Sequence, residues 1–202
     1  MKTFLTIAAV LLGTAAQAAP VSQANSGIAD LDVLLDFNDG RVADGDDVST
    51  EYQSDFGVRF DPNLFMGSFL DGKSNMTGGH LTNFKFNDQG QVEYVDPFSI
   101  YFDAAVTDAL FHFRTGNKDT TFTALLGGTV IESFSVVTDT STSNVYGFTS
   151  SLFDQILIDI APNPGAGLDN LAFSPAPAPV PLPASALLLL AGFGGLRLLR
   201  RT

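Results

Sequence analysis

Short apolar runs separated by turn-forming residues fill the chain between residues 30 and 174. No part of this region keeps the periodicity of an amphipathic helix over a useful length. Runs of this kind, bounded by Gly, Asn, Asp and Pro clusters, are typical of strands and turns. The predicted strands are Val33–Phe37, Gly57–Phe60, Leu81–Phe86, Phe98–Phe102, Ala109–Arg114, Thr120–Leu126, Val130–Thr138, Val145–Thr149, Gln155–Ile160 and Leu168–Phe173.

Alternation within these runs predicts which face of each strand is buried. Ala109, Phe111 and Phe113 share one face of their strand, and His112 and Arg114 share the other. Two-faced strands at this spacing predict an all-β fold, a single β-sandwich of the jelly-roll kind with one apolar interior. The pair Gly127-Gly128 supplies the positive φ angles of a tight turn and predicts a hairpin between the flanking strands.

The first 18 residues have the three parts of a secretory signal peptide. Lys2 gives a positive start, Phe4–Leu12 an apolar run, and Ala16-Gln17-Ala18 a small-residue site. We expect signal peptidase to cut between Ala18 and Ala19, so the protein is predicted to be exported. Residues 19–29 then read as a linker, and residues 30–174 as the sandwich domain.

The last 23 residues predict a membrane-spanning helix. Val180–Leu196 carries no charge, and a helix of that length spans roughly 25 Å, at the short end for a bilayer. Arg197, Arg200 and Arg201 follow, and the positive-inside rule keeps such a basic stop in the cytoplasm. The acidic domain therefore lies on the far side of the membrane. Alternating prolines in residues 175–179 favour an extended spacer before the helix.

This C-terminal segment resembles the VPLPA-type relatives of the PEP-CTERM sorting signals, which membrane proteases called exosortases process. The resemblance rests on Val180, Pro181, Leu182, Pro183 and Ala184, followed by the leucine run and the arginine cluster. It implies a Gram-negative host, cleavage near the motif and delivery to the cell surface or extracellular matrix. A plain membrane anchor that is never cut is the alternative.

The domain also resembles those commonly attached to such tails. The matching segments, in order, are LLDFNDG (34–40), YQSDFGVRF (52–60), FTALLGGTVIESF (122–134) and GAGLDNLAFS (165–174). This pattern is looser than the tail motif. It implies a small sandwich often likened to carbohydrate-binding modules, and it implies no catalytic activity.

Charge narrows the range of partners. All 22 acidic residues and only six basic ones lie between Asp30 and Asp169, so the domain has a net charge of −16. Such a domain repels phosphate backbones, which argues against nucleic acid as a partner. The absence of cysteine excludes disulfides and thiolate metal sites.

Acidic residues near both ends of the domain suggest a calcium site. Asp36, Asn38 and Asp39 follow the first strand, and Asp169 opens the last one. Oxygen ligands of this kind suit Ca²⁺, although the spacing does not match an EF-hand loop. Solvated carboxylates in Asx-turns are the alternative for the first group.

Asp169 is in phase with the core positions Leu171 and Phe173, so the apolar face is predicted to receive a carboxylate. An unpaired buried charge is costly, so Asp169 should be hydrogen-bonded or metal-bound. The alternative is that it caps the preceding turn and binds backbone amides.

Motifs for catalysis are absent, since the chain has no Gly-x-Ser-x-Gly or His-Glu-x-x-His sequence and only two histidines, His80 and His112. The sequence therefore predicts a non-enzymatic surface or matrix protein that contributes to adhesion or biofilm through polysaccharide contact. A secreted glycosidase using a carboxylate pair, or a purely structural spacer, are the alternatives. Exposed Tyr and Phe rings would supply a sugar-stacking platform.

Overall fold

The computed structural model describes residues 19–69, 75–161 and 165–177. This part of the chain is built of β-strands, with one short α-helix at Gln53–Phe56 and a 3-10 turn at Ile28–Asp30. The strands are β1 (Ala19–Ala24), β2 (Val33–Leu35), β3 (Val58–Phe60), β4 (Phe65–Phe69), β5 (Gly78–Thr82), β6 (Phe84–Phe86), β7 (Val92–Tyr94), β8 (Phe98–Thr115), β9 (Lys118–Leu126), β10 (Thr129–Thr138), β11 (Val145–Thr149), β12 (Phe153–Ile160) and β13 (Ala166–Pro175). The predicted all-β fold is confirmed.

Strand β8 belongs to both layers of the sandwich. Its first part pairs with β12 and β3, and its last part pairs with β11 and β13. One layer therefore has the order β10-β9-β12-β8-β3, and the other runs β1-β11-β8-β13-β5-β4, with β2 also on β13. Every pairing is antiparallel.

The interior between the layers is aromatic. The rings of Phe122 and Tyr146 stack with centroids 5.2 Å apart, and Phe113 meets Phe122 edge-on at 5.4 Å. Phe111 and Phe148 are also fully buried. Aromatic pairs in offset and edge-to-face geometry add roughly 0.5–1.5 kcal/mol beyond their buried area. The predicted alternation is confirmed at this point, because the residues on either side of Phe113 are only half-buried.

The predicted hairpin at Gly127-Gly128 is confirmed as the connection between β9 and β10. Gly127 has φ 56° and Gly128 φ 79°, which is the left-handed backbone that a two-residue turn requires. The Asp154 carboxylate on β12 accepts the Gly127 N–H, with distances of 3.0 and 3.1 Å to its two oxygens. The turn is thus tied to the neighbouring strand.

Two domain boundaries differ from those expected. Residues 19–29 were predicted as a linker, but β1 pairs with β11, matching Pro20 with Phe148 and Val21 with Gly147. The reason is that the outer edge of β11 offers unpaired backbone groups, which even a weakly apolar segment satisfies. At the other end β13 extends to Pro175, one residue into the predicted 175–179 spacer, and the Ala176 N–H bonds Ala105 O.

Other strand predictions were wrong in length or number. The two runs Phe98–Phe102 and Ala109–Arg114 are parts of the single strand β8, and Leu81–Phe86 is divided between β5 and β6. Strands β1, β4 and β7 were not predicted. His80, one of the two histidines, lies on β5 and is only 1% exposed.

Candidate functional site

The predicted export and sorting signals lie outside the described residues. These are the signal peptide with Ala18, the motif Val180–Ala184 and the three terminal arginines. Ala19, on the other side of the expected cut, begins β1. Among helices of the described ranges, none is both long enough and apolar enough to cross a bilayer.

The acidic turn after β2 is organised by local hydrogen bonds. The Asp36 carboxylate accepts the N–H of Asn38 at 3.1 Å, and the Asn38 side-chain N–H₂ donates to Asp36 O at 2.8 Å. Asn38 Oδ1 accepts the Gly79 N–H at 2.8 Å, which docks the turn on β5. Phe37 lies between them with φ 56° and a buried ring. The Asx-turn alternative fits this geometry.

Asp39 has partners of its own. Its Oδ2 binds Arg41 Nε at 2.8 Å, and its Oδ1 accepts the Arg41 backbone N–H at 3.1 Å. Arg41 Nη1 also binds Asp55 at 3.0 Å, and its guanidinium lies 5.0 Å from the ring centroid of Tyr52. The Asp39 carboxylate is therefore held by an arginine.

Asp169 is fully buried, as the sequence predicted. Its Oδ1 accepts the Asn170 N–H at 2.7 Å, and its Oδ2 accepts the Thr77 N–H at 3.2 Å. Burial raises the pKa of this carboxyl to about 7, with a further rise from Asp36, while the two backbone N–H groups lower it. Asp169 thus binds backbone amides, although they belong to Thr77 and Asn170 and not to the preceding turn.

His112 lies opposite Asp169 in the β8–β13 register and is half-buried, and burial lowers its pKa. Its Nδ1 is 3.2 Å from the Asn170 side-chain nitrogen. Within the described ranges, no group of three or more His, Asp or Glu side chains is placed to hold a metal ion. The calcium site on Asp36, Asn38, Asp39 and Asp169 stays a prediction.

An exposed aromatic hairpin is a second candidate. Strands β6 and β7 pair only with each other, matching Phe84 with Tyr94 and Phe86 with Val92. These side chains share one face of the hairpin because partners in an antiparallel pair point the same way. Phe86 is 68% exposed and Tyr94 38% exposed. Phe84 links them, since its centroid lies 6.3 Å from that of Phe86 and 6.2 Å from that of Tyr94.

A groove runs between this hairpin and the edge strand β4. It has a volume of about 430 Å³ and continues into a smaller one of about 200 Å³ beside Asn38 and Gly40. The polar residues that line the larger part are Asp44, Ser68, Thr82 and Lys85. We call this the aromatic groove; its lining is Asp44, Gly45, Phe65, Met66, Gly67, Ser68, Thr82, Phe84, Lys85 and Phe86.

The walls of the aromatic groove are fixed by backbone contacts. The Met66 N–H donates to Asp46 O at 2.9 Å, and the Gly45 N–H donates to Met66 O at 2.7 Å. The turn at Gly45 is therefore attached to β4. The Lys85 ammonium lies 4.8 Å from the Phe65 ring centroid. A planar ring, a carboxylate, an ammonium and a hydroxyl thus line one open surface, and this arrangement suits a polyhydroxylated ligand.

The sequence left open which aromatic residues face solvent, and the residues of the aromatic groove were not identified from it. A signal was present, because Phe84-Lys85-Phe86 and Val92-Glu93-Tyr94 alternate on either side of the turn Asn87–Gln91. That pattern predicts a hairpin with one aromatic face. The approach of Asp44 and Ser68 to this face depends on tertiary packing and has no local signal.

Comparison with known proteins gives structural neighbours but no family. No family model matches the chain, and no curated protein matches it. Among solved structures, CsCBM6-3 from Clostridium stercorarium, a carbohydrate-binding module in complex with cellobiose, aligns with 65% of this chain and 95% of its own. The sequence identity is 18% and the TM-score 0.33. The sandwich assignment rests on the strand pairings themselves.

Proposed function

We propose that this protein is an exported, non-enzymatic surface or matrix protein that contacts polysaccharide through the aromatic groove. The observation that carries the proposal is a hairpin with two solvent-exposed rings: Phe86 lines the groove together with polar side chains, and Tyr94 pairs with Phe84, which also lines it. Flat aromatic faces stack on the apolar faces of sugar rings, and neighbouring polar groups hydrogen-bond the hydroxyls. An open groove also suits a polymer, because the chain can continue beyond it at either end.

The placement of the unusual carboxyl groups supports binding over hydrolysis. Hydrolysis of a glycoside requires a carboxylic acid of raised pKa beside the scissile bond. Burial raises the pKa of both Asp96 and Asp169, but neither lines the aromatic groove. Asp169 is also fully buried, so a polymer on the surface does not reach it.

Export and sorting complete the proposal. The order of signal peptide, domain, VPLPA-type motif, apolar segment and arginine cluster supports release to the surface by signal peptidase and an exosortase-type protease. Processing at both sites would leave β1, which begins at Ala19, and β13, which ends at Pro175, intact. The proposed mature protein is thus a whole sandwich followed by a short proline-rich tail.

Glycan binding tests the proposed site. The full chain, purified in detergent, is applied to a polysaccharide array and then studied by affinity electrophoresis with the best binder. Phe86→Ala and Tyr94→Ala should each weaken binding roughly tenfold, or about 1.4 kcal/mol, if a sugar stacks on the ring as another aromatic group would. Leu152→Ala is the matched control, because Leu152 is 47% exposed and lies outside both the groove and the β6–β7 hairpin.

The same samples separate the alternatives. Release of sugar from any polysaccharide, abolished by one Asp-to-Asn change, would establish a hydrolase and refute the proposal. Binding that all three alanine variants retain would place the ligand elsewhere on the surface. No binding to any polysaccharide would favour a structural spacer.

Sorting is tested by the intact mass of the protein released from its host. We expect a start at Ala19 and an end near Pro181–Ala184. A mass that includes Arg197, Arg200 and Arg201 would leave the plain membrane anchor as the explanation. A double change of Pro181 and Pro183 to Ala should keep the protein in the membrane if the motif is the processing signal.

A further inference from the structure

Strand β10 is the longest edge strand of the described sandwich. It has ten residues, Thr129–Thr138, and it pairs with β9 alone. Edge strands invite pairing with other chains unless they are short, covered or interrupted by proline. The other edges have such protection: β2 and β3 have three residues, β1 contains Pro20, and the turn at Gly45 covers β4. Strand β10 has no proline and only one charge, on Glu132.

Hydrogen bonds show which backbone groups of β10 point outward. Gln23 Nε2 donates to Val137 O at 3.2 Å, and the Ser133 N–H is bonded by the Glu132 carboxylate at 3.2 Å. Neither partner belongs to β9, so Ser133 and Val137 direct their backbone groups away from it. Ser135 lies between them and points the same way, because outward and inward residues alternate along an antiparallel strand.

The sequence of this edge is nearly symmetric about Phe134. Ser133 mirrors Ser135, and apolar Ile131 mirrors Val137. In an antiparallel pair of two copies centred on Phe134, each outward-facing Ser133 lies opposite an outward-facing Ser135. Such residues exchange two backbone hydrogen bonds per pair, which makes about four for the two pairs once the Glu132 carboxylate releases the Ser133 N–H. On the solvent face the side chains that then meet are the small serines, whereas on the other face Phe134 meets Phe134 of the second copy and Glu132 meets Val136.

We propose that two copies of this chain associate edge to edge through β10, antiparallel and centred on Phe134. The sheet β10-β9-β12-β8-β3 would then continue across the two-fold axis into its counterpart. The contact is short, because Gln23 occupies the carbonyl of Val137 at one end and a bulge between Val130 and Glu132 disturbs the other. Each domain carries a charge of −16, so the copies repel at long range and salt strengthens the association.

Disulfide trapping tests the register. The chain has no cysteine, so Ser133→Cys and Ser135→Cys each introduce the sole thiol of a full-length chain. Opposed residues have Cα atoms about 5.5 Å apart, within disulfide range, whereas two copies of the same residue are diagonal neighbours roughly 7–8 Å apart. Mixing the two variants under oxidised glutathione should therefore give roughly tenfold more disulfide-linked dimer than either variant alone.

Two outcomes overturn the proposal. One is equal cross-linking by the mixture and by each single variant. The other is a yield no higher than that of a mixture of Gln89→Cys and Ser54→Cys, which places thiols at two exposed positions outside β10, on the β6–β7 turn and the short helix.

Sedimentation of the full chain without cysteine gives an independent measurement. The sedimentation coefficient should rise with protein concentration, and more so in high salt. Ser135→Lys should abolish the rise, because an edge lysine opposes strand pairing. Gln89→Lys adds the same charge on an exposed turn and should leave the rise with protein concentration unchanged. A rise that Ser135→Lys does not change belongs to another surface, such as the membrane tail, and refutes pairing through β10.

Discussion

The buried Asp169 carboxyl makes the stability of the domain depend on pH with a sign opposite to that of most acidic residues. Its pKa is raised from 3.8 to about 7 by burial. Between these two pH values the folded protein holds a proton that the unfolded chain has released. The free energy of unfolding therefore falls as pH rises across this interval, and the loss is complete above pH 7.

The magnitude follows from the same two values. Each pH unit between them changes the free energy of unfolding by about 1.4 kcal/mol, which sums to on the order of 4 kcal/mol. Asp169→Asn resembles the protonated acid, since it keeps one acceptor oxygen and carries no charge. We expect the stability of the variant relative to the wild type to rise by roughly 2.5 kcal/mol between pH 5 and pH 8.

Urea denaturation followed by far-UV circular dichroism measures this difference, because the chain contains no tryptophan for fluorescence. Asp159→Asn is the matched control, since Asp159 is exposed on β12 and its removal changes the net charge equally. All samples contain EDTA, so that no bound cation neutralises the carboxylate. A stability difference between Asp169→Asn and wild type that stays constant from pH 5 to pH 8 would refute the reasoning.

Two other perturbations follow from the contacts of the sandwich. Gly147→Ala should lower the free energy of unfolding by more than about 2 kcal/mol in the same urea assay. The reason is that an added Cβ would lie 2.0 Å from Ala109 O, at a residue whose φ is 145°. Gly116→Ala is the control and should have little effect, because the space around Gly116 is open. Calcium and magnesium at equal ionic strength test the predicted calcium site: equal rises in melting temperature would mean screening of the acidic surface, with Asp169 and Asp39 engaged by backbone amides and Arg41 instead of a metal. A rise specific to calcium that Asp169→Asn removes would establish the predicted metal site instead.

The parts of the fold that the sequence predicts are those determined by local pattern. The hairpin between β9 and β10 needs only two alternating runs and the Gly127-Gly128 pair between them, and all of these are visible in sequence. The burial of Asp169 followed from counting alternate residues, although Asn170, with φ 52°, interrupts the strand with a bulge before Leu171. Because of this bulge, Asp169 pairs with His112 and Phe173 pairs with Ala109, so Asp169 and Phe173 lie on opposite faces of β13 and the phase argument was wrong. Asp169 is buried on the His112 face, where the Thr77 N–H donates to it.

The missed features depend on tertiary contacts. Strand β8 passes from one layer to the other around Asp103 and Ala104, which are exposed, so its apolar pattern stops in mid-strand and resembles a loop. Strand β1 has almost no apolar pattern, and it is a strand because β11 offers it an edge. The aromatic groove likewise arises where the turn at Gly45 meets β4, and those two segments are separated by about twenty residues of sequence.

The position of β1 connects the fold with the proposed processing. Its first residue, Ala19, pairs with Thr149, so a signal-peptide cut after Ala18 leaves the whole strand, whereas a cut a few residues later would remove the partner of β11. The side chain of Gln23 on β1 also occupies Val137 O on the edge of β10. Loss of β1 would therefore expose a second edge and lengthen the first, and both changes favour uncontrolled pairing between chains. Cleavage at Ala18, as proposed, would keep β1 in place and so limit the proposed self-association to the short contact centred on Phe134.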